Sequence, residues 1–156
     1  MIGGDELRNV MRLIPAPVAV VTVDLESERI GLTVASLVSL SLEPPLVGVA
    51  IRRDAALHEL LRRAGEFGIS ILAEGQEHLA QHFARGVPPI ALWQGIPVRS
   101  EEGPPLLEDA LAWLRCSLRD EHETGDHTLF VGEVTAAETG RAERALVYLD
   151  RRYVSA

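Results

Sequence analysis

Residues 112–137 read as one long hairpin, and that hairpin constrains the fold more than any other segment. Leu114, Cys116 and Leu118 alternate with Arg115, Ser117 and Arg119, the period-two pattern of a strand with one wet face. Gly125 and Asp126 supply a turn, and Thr128, Leu129, Phe130 and Val131 open the return strand with good β-formers. An antiparallel sheet is therefore expected. Residues 18–23, 30–36, 46–51, 67–72 and 145–149 read as further strands. The helices are short. Asp5 is expected to cap one over 5–14, with Leu7, Val10, Met11 and Ile14 at helical spacing. Asp54 is expected to cap a second that runs to Ala64 and ends at Gly65, and 76–84 is a third. Residues 86–105, rich in Gly and Pro, read as the longest irregular stretch. About seven strands and about three helices in no regular alternation argue against a doubly wound sheet. They favour a mainly β fold, a β-barrel with peripheral helices. One domain over 1–156 is expected.

Composition narrows the partners. Acidic residues outnumber basic ones 23 to 15, for a formal charge of −8, and every base is Arg. A chain this acidic, with no basic cluster, is not expected to bind nucleic acid or an anionic membrane. Cys116 is the only cysteine, so no intrachain disulfide can form and a reducing compartment is expected. The N-terminus has no basic segment followed by an apolar one, and no apolar run approaches the ~20 residues of a membrane span. The expected location is cytoplasmic.

Several familiar chemistries have no motif here. There is no Gly-x-Gly-x-x-Gly, no phosphate-binding loop and no Gly-x-Ser-x-Gly elbow. His78 and His82 stand four apart on an expected helix, but no third metal ligand accompanies them and no metal site is expected. Cys116 sits mid-strand and is expected to point inward, a poor setting for a reactive thiol. Glu74, Glu77, Glu101 and Glu102 read as surface charge.

Two features ask for a ligand. Thr33, Ser36, Ser39 and Ser41 place hydroxyls within an otherwise apolar strand region. Buried hydroxyls need partners, which a polar ligand would supply; alternatively, they line the wet face of a half-exposed strand. His127 follows the Gly125-Asp126 turn and begins a strand. It either positions a ligand at the barrel mouth, with Asp126 able to restrain its ring, or is a surface turn residue.

The residues from 31 to 47, Gly-Leu-Thr-Val-Ala-Ser-Leu-Val-Ser-Leu-Ser-Leu-Glu-Pro-Pro-Leu-Val, resemble a run of the flavin reductase family. Further resemblances to that family follow in order: Pro15 with 18–22, Leu79 with Phe83-Ala84, 105–107 with 110–116, Gly125-Asp126-His127, and Tyr148 with Arg152-Tyr153. The resemblance implies a Greek-key-like, FMN-binding split β-barrel that forms a homodimer with flavin at the subunit interface. It implies hydride transfer from NADH or NADPH to FMN, with FAD also possible, and a flavin-dependent monooxygenase as partner. The implied catalytic residue is His127, which would position the nicotinamide or a flavin edge. The implied cofactor contacts are Thr33, Val34, Ala35, Ser36, Ser39, Ser41, Ala50, Arg52, Arg53, Phe83, His127, Arg152 and Tyr153. The small residues 34–36 would admit the ring edge to backbone amides. The alternative is a flavin-binding split barrel without reductase activity, an electron carrier or a partner subunit. The chain departs from the family pattern at Ala16-Pro17, Ala35, Asp54-Ala55 and 85–89. Two serines that often meet the flavin phosphate are replaced by Asp54 and Ala55, leaving Arg52 and Arg53 as candidate anchors.

Overall fold

A computed structural model describes residues 1–100 and 102–156; Glu101 lies outside the described residues. Helix α1 (Gly4–Met11) leads into β1 (Ala16–Pro17), β2 (Ala19–Leu25), β3 (Glu28–Val34), β4 (Val38–Leu42) and β5 (Pro45–Arg52). Helix α2 (Ala56–Ala64), β6 (Glu66–Ile71), α3 (Glu77–Ala84) and α4 (Pro89–Leu92) follow. The chain ends through β7 (Val98–Ser100), β8 (Leu106–Leu107), β9 (Ala112–Thr124), β10 (His127–Thr139), β11 (Leu146–Leu149) and β12 (Arg152–Ser155).

Seven strands form one sheet in the order β3-β2-β6-β9-β10-β5-β4. All of its pairings are antiparallel. Its two outermost strands, β3 and β4, are consecutive in the chain and joined only by Ala35, Ser36 and Leu37. So short a link can join opposite edges only if the sheet curls round on itself, and the result is a barrel. At this seam the β4–β5 register, which pairs Val38 with Gly48, would place residue 36 opposite Ala50. The Ser36 hydroxyl takes over there: it donates to the Ala50 carbonyl at 3.0 Å and accepts from the Ala50 N–H at 2.9 Å.

Inward residues fill the barrel: Val21, Val34, Val49, Ile51, Phe67, Ile69, Cys116 and Phe130. Helix α2 adds Leu57, Leu60 and Leu61 and touches β2, β3, β5 and β6, so it lies across the barrel opening. A second core covers the outside of β2, where Val18 and Val20 meet Leu79, Ala80 and Phe83 of α3, with Leu92, Leu107 and Leu146. Strand β2 is thus buried on both faces, which explains why its sequence is a continuous apolar run. Burying a side chain the size of Phe67 or Phe130 stabilises by roughly 2–3 kcal/mol.

The long hairpin expected over 112–137 is present as β9 and β10, paired from His127↔Thr124 to Thr139↔Ala112. Gly125, at φ 68°, takes the left-handed corner of its turn. Several details differ from the sequence reading. Asp5 does not cap α1; Gly3 holds that position, and Asp5 pairs with Arg8 at 2.9 Å. Asp54 does not cap α2, because Ala55 is the N-cap and the Asp54 carboxylate is taken by Arg52. Gly65 does end α2, at φ 70°. The stretch 86–105 is partly ordered, carrying α4 and β7. Strands β4 and β12 are not among the strands expected from the sequence: β4, although Val38 to Leu42 alternate, overlaps the hydroxyl-rich run 33–41, and β12 follows a turn that has no glycine.

Candidate functional site

The register of β5 with β10 sets out a row of side chains on the outside of the barrel. Val49 and Ile51 point into the core, so Gly48, Ala50 and Arg52 point outward. Opposite them stand Val131, Leu129 and His127. Beside Gly48 lie Val38 and Leu40, whose methyl groups, with that of Leu129, would all meet a Cβ added there. The result is a trough with small Ala50 in its floor, apolar Val38, Leu40 and Leu129 at one end, and Arg52 with His127 at the other.

The seam runs along one side of this trough. Ala35 is exposed, and Ser36 and Leu37 are partly buried. Among the described residues, the amides of these three donate to no other backbone group. A row of available N–H donors beside a small-residue floor suits the edge of a planar ring rich in acceptor atoms.

The polar end is a cluster of paired charges. The Arg52 guanidinium donates to both Asp54 carboxylate oxygens, at 3.0 and 3.1 Å. That contact holds the Asp54 carboxyl below the ordinary range and raises the arginine. His127 Nδ1 lies 2.7 Å from Asp126 Oδ1. A carboxylate only accepts, so Nδ1 carries the proton and Nε2 is left as the free nitrogen. The same bond is the main reason the Asp126 carboxyl is held low. Arg53 turns away from Arg52, toward Glu123 at 3.5 Å and the Gly125 carbonyl.

The structure therefore brings Ala35, Ser36, Ala50, Arg52 and His127 into one area. The other candidates named from the sequence are differently placed. The Thr33 hydroxyl is spent on the Ala80 carbonyl at 2.7 Å. The Val34 side chain points into the barrel core, so only its backbone is available. Ser39 and Ser41 lie on β4, on either side of a bulge. Phe83 is a correction: its ring is 2 % exposed and packs against Trp93 and His82, so it has no face to offer a cofactor. Arg152 and Tyr153 sit on the separate sheet β1-β11-β12, where Tyr153 packs against Tyr148 with ring centres 5.2 Å apart. His82 Nε2 is bound to the Leu92 carbonyl at 2.6 Å, which breaks up the His78–His82 pair. Cys116 is buried in the core and its thiol is pushed up to about 12 by burial.

Sequence reading missed the apolar end of the trough. The alternation His127, Leu129, Val131 carried that signal, but nothing marked Val38 and Leu40 as its neighbours. It also missed a cleft of about 1070 Å³ elsewhere on the molecule, lined by Gln76, His78, Arg99, Trp113, Glu138 and Arg141 among others. Within it Arg99 stacks on Trp113 at 4.0 Å and pairs with Glu138 at 2.7 Å.

Comparison with known proteins decides the relationship. Residues 11–156 match the model of the flavin reductase like domain. The chain belongs to this flavin reductase-like family. This flavin reductase-like chain is 38% identical over 152 residues to an NADH-dependent FAD reductase of Streptomyces globisporus, covering 95% of this chain and 83% of that one. It is 43% identical over 136 residues to the reductase component of 4-hydroxyphenylacetate 3-monooxygenase of Thermus thermophilus, covering 87% and 85%. Its backbone superposes on the NADH:FAD oxidoreductase of Streptomyces globisporus C-1027 with TM-score 0.91 at 36% identity, over 99% of this chain and 95% of that one. A related structure of that enzyme, described as a complex with NAD and FAD fragments, gives TM-score 0.89 at 37% identity over 96% and 90%. The expected mainly β split barrel is thus the observed fold.

Proposed function

We propose that the chain is an NAD(P)H-dependent flavin reductase, passing hydride from nicotinamide to FMN or FAD and supplying reduced flavin to a separate monooxygenase. The observation that carries this reading is the free amide row 35–37 beside the trough of Ala50, Arg52 and His127, in a chain of this family. NADH, the donor named for the first relatives, is the first choice of reductant.

Bound flavin supplies the ring that accepts the hydride. The chain's residues bind and orient. The amides of Ala35, Ser36 and Leu37 donate to the ring edge, and the backbone of Thr33 and Val34 continues that wall. Ala50 lets a flat ring approach the sheet, with Ser39, Ser41, Arg53, Arg152 and Tyr153 as outer contacts. His127, its Nδ1 fixed by Asp126, offers Nε2 as an acceptor to the nicotinamide carboxamide. Holding the reacting atoms about 3–3.5 Å apart is the main catalytic demand, so no strong acid or base is required.

The trough is open on the side of β4, where Val38, Leu40 and Leu42 are exposed. We read a second copy of the chain as the missing wall, making a homodimer with the flavin between subunits. The chain acts as one domain in the cytoplasm. No helix among the described residues is long and apolar enough to cross a membrane.

An anaerobic titration of protein and FMN with NADH, followed at the flavin absorbance maximum, tests the reading. Stoichiometric bleaching at an enzyme-dependent rate is expected. Flavin binding without bleaching would favour an electron carrier, and no flavin binding would overturn the assignment.

A further inference from the structure

The Ser36 hydroxyl has no proton left for a ligand. It spends that proton on the Ala50 carbonyl at 3.0 Å and takes the Ala50 N–H at 2.9 Å. A hydroxyl carries a single donor, so toward the trough Ser36 can donate only from its backbone amide. In an antiparallel ladder, a hydrogen-bonded pair of residues exchanges two bonds between backbones. Here one side chain makes both, which closes the barrel while leaving the amides 35–37 outside the ladder. The rest of the link is held elsewhere. The Thr33 hydroxyl donates to the Ala80 carbonyl of α3 at 2.7 Å, Leu37 packs against the barrel core, and Ala35 is exposed. Among the described residues, the Ser36 hydroxyl is thus the hydrogen-bonded tie between 35–37 and β5, and its partner Ala50 is the trough floor.

We propose that the Ser36 side chain is a positioning residue: acting through Ala50, it sets the separation between the amides that meet the ring edge and the floor on which the ring lies. The inference rests on the reading of the trough as the flavin site and adds what keeps that site in shape. The ring is held by its edge and its face together, so the two surfaces must keep a fixed distance, to within about 0.5 Å. Without the hydroxyl the link 35–37 is free to shift relative to β5, and the amides no longer point at the ring edge when the ring rests on Ala50. Ring binding then weakens although no atom that touches the ring has been removed.

The test compares the wild type with Ser36→Ala, Ser36→Cys and Ser36→Thr, each checked for folding by circular dichroism. Threonine keeps the hydroxyl, whereas cysteine keeps the shape with a longer, weaker donor. Riboflavin is the probe, titrated by quenching of its fluorescence, so that no phosphate enters the comparison. Crystal structures of the flavin-free proteins give the separation between Ala50 and the amide nitrogens of 35–37. In Ser36→Ala and Ser36→Cys that separation should change by about 0.5 Å or more, and riboflavin should bind about tenfold more weakly, the size of one lost hydrogen bond. Ser36→Thr should keep the separation and bind within about threefold of the wild type. If Ser36→Ala does not fold, cysteine against threonine makes the same comparison. Equal riboflavin affinity in the wild type and the hydroxyl-free variants would overturn the proposal while leaving the flavin site standing. So would weaker binding with an unchanged separation, since the hydroxyl would then act on the ring directly. A threonine variant that keeps the separation and still binds weakly would overturn it too. Failure of riboflavin to bind the wild type would instead remove the flavin reading itself, and this proposal with it.

Discussion

His127 and Cys116 show how environment decides chemistry at single residues. The sequence offers one histidine after a Gly-Asp turn and one cysteine in mid-strand. The histidine is partly exposed, locked by a neighbouring carboxylate, and presents a free ring nitrogen. His127→Ala should leave flavin affinity within a few-fold and slow the NADH half-reaction about tenfold to a hundredfold, as expected for one or two lost hydrogen bonds of ~1–1.5 kcal/mol each. Stopped-flow reduction of bound flavin measures this, and an unchanged rate would make His127 a turn residue only. The cysteine is enclosed and stays a thiol, its titration pushed up to about 12. An unfolded cysteine ionises near about 8.5. Its stabilising contribution is therefore complete below that pH and is lost as pH rises toward the folded value, at up to ~1.4 kcal/mol per pH unit. Thermal midpoints of wild type and Cys116→Ala should converge with rising pH over that interval; parallel curves would refute it. At this scale the sequence was readable for the inward Cys116 and for the Asp126 restraint on the His127 ring. It was misleading for Phe83, because an aromatic in a helix looks the same whether it faces a ligand or, as here, Gly31 and Trp93.

Among the elements, the β9–β10 hairpin was legible because alternation and turn chemistry agree there. Strand β12 escaped because Asp150 and Arg151 make its turn at φ 50° and 63° with no glycine to announce it. Strand β4 alternates strictly, Val38-Ser39-Leu40-Ser41-Leu42, but it lies inside a longer run rich in hydroxyls and apolar residues that blurs its ends, and a bulge interrupts it. Within β10, Gly132 sits where register shifts against β9, and an added Cβ would fall 2.5 Å from the Phe67 ring and 3.0 Å from Cys116. Phe67 is fully buried and cannot yield. Gly132→Ala should cost about 1–3 kcal/mol in urea unfolding, the usual range for overpacking. A change below ~0.5 kcal/mol would mean that the bulge relaxes to absorb the methyl group. Ser36→Ala leaves the Ala50 N–H and carbonyl without their partner at the seam. A loss of about 1–2 kcal/mol is expected, with unchanged stability as the contrary result.

At the scale of the whole molecule, the apolar residues left outside stand out. Helix α1 buries nothing, and Leu7, Val10, Met11, Leu13 and Ile14 are all more than half exposed. With Val38, Leu40 and Leu42 they form surface that a lone acidic chain would not profit from keeping wet. A dimer burying about 800 Å² or more per partner is expected. Light scattering should give twice the 17.0 kDa chain mass, and a monomer at micromolar concentration would remove the interfacial site. The barrel class was legible because strands without regular helix alternation leave few architectures. Its closure was not, since it depends on which strands become neighbours rather than on any one of them. That closure has a further consequence for hydrogen exchange. The Ala50 amide is held by a side-chain hydroxyl where a ladder would use a backbone carbonyl, so its exchange into deuterated water is governed by how often one hydroxyl lets go. The same serine borders the trough, so a ring seated there should slow the exchange of this amide. Peptides covering 46–52 would then report flavin occupancy directly from the backbone, with no turnover and no colour change needed.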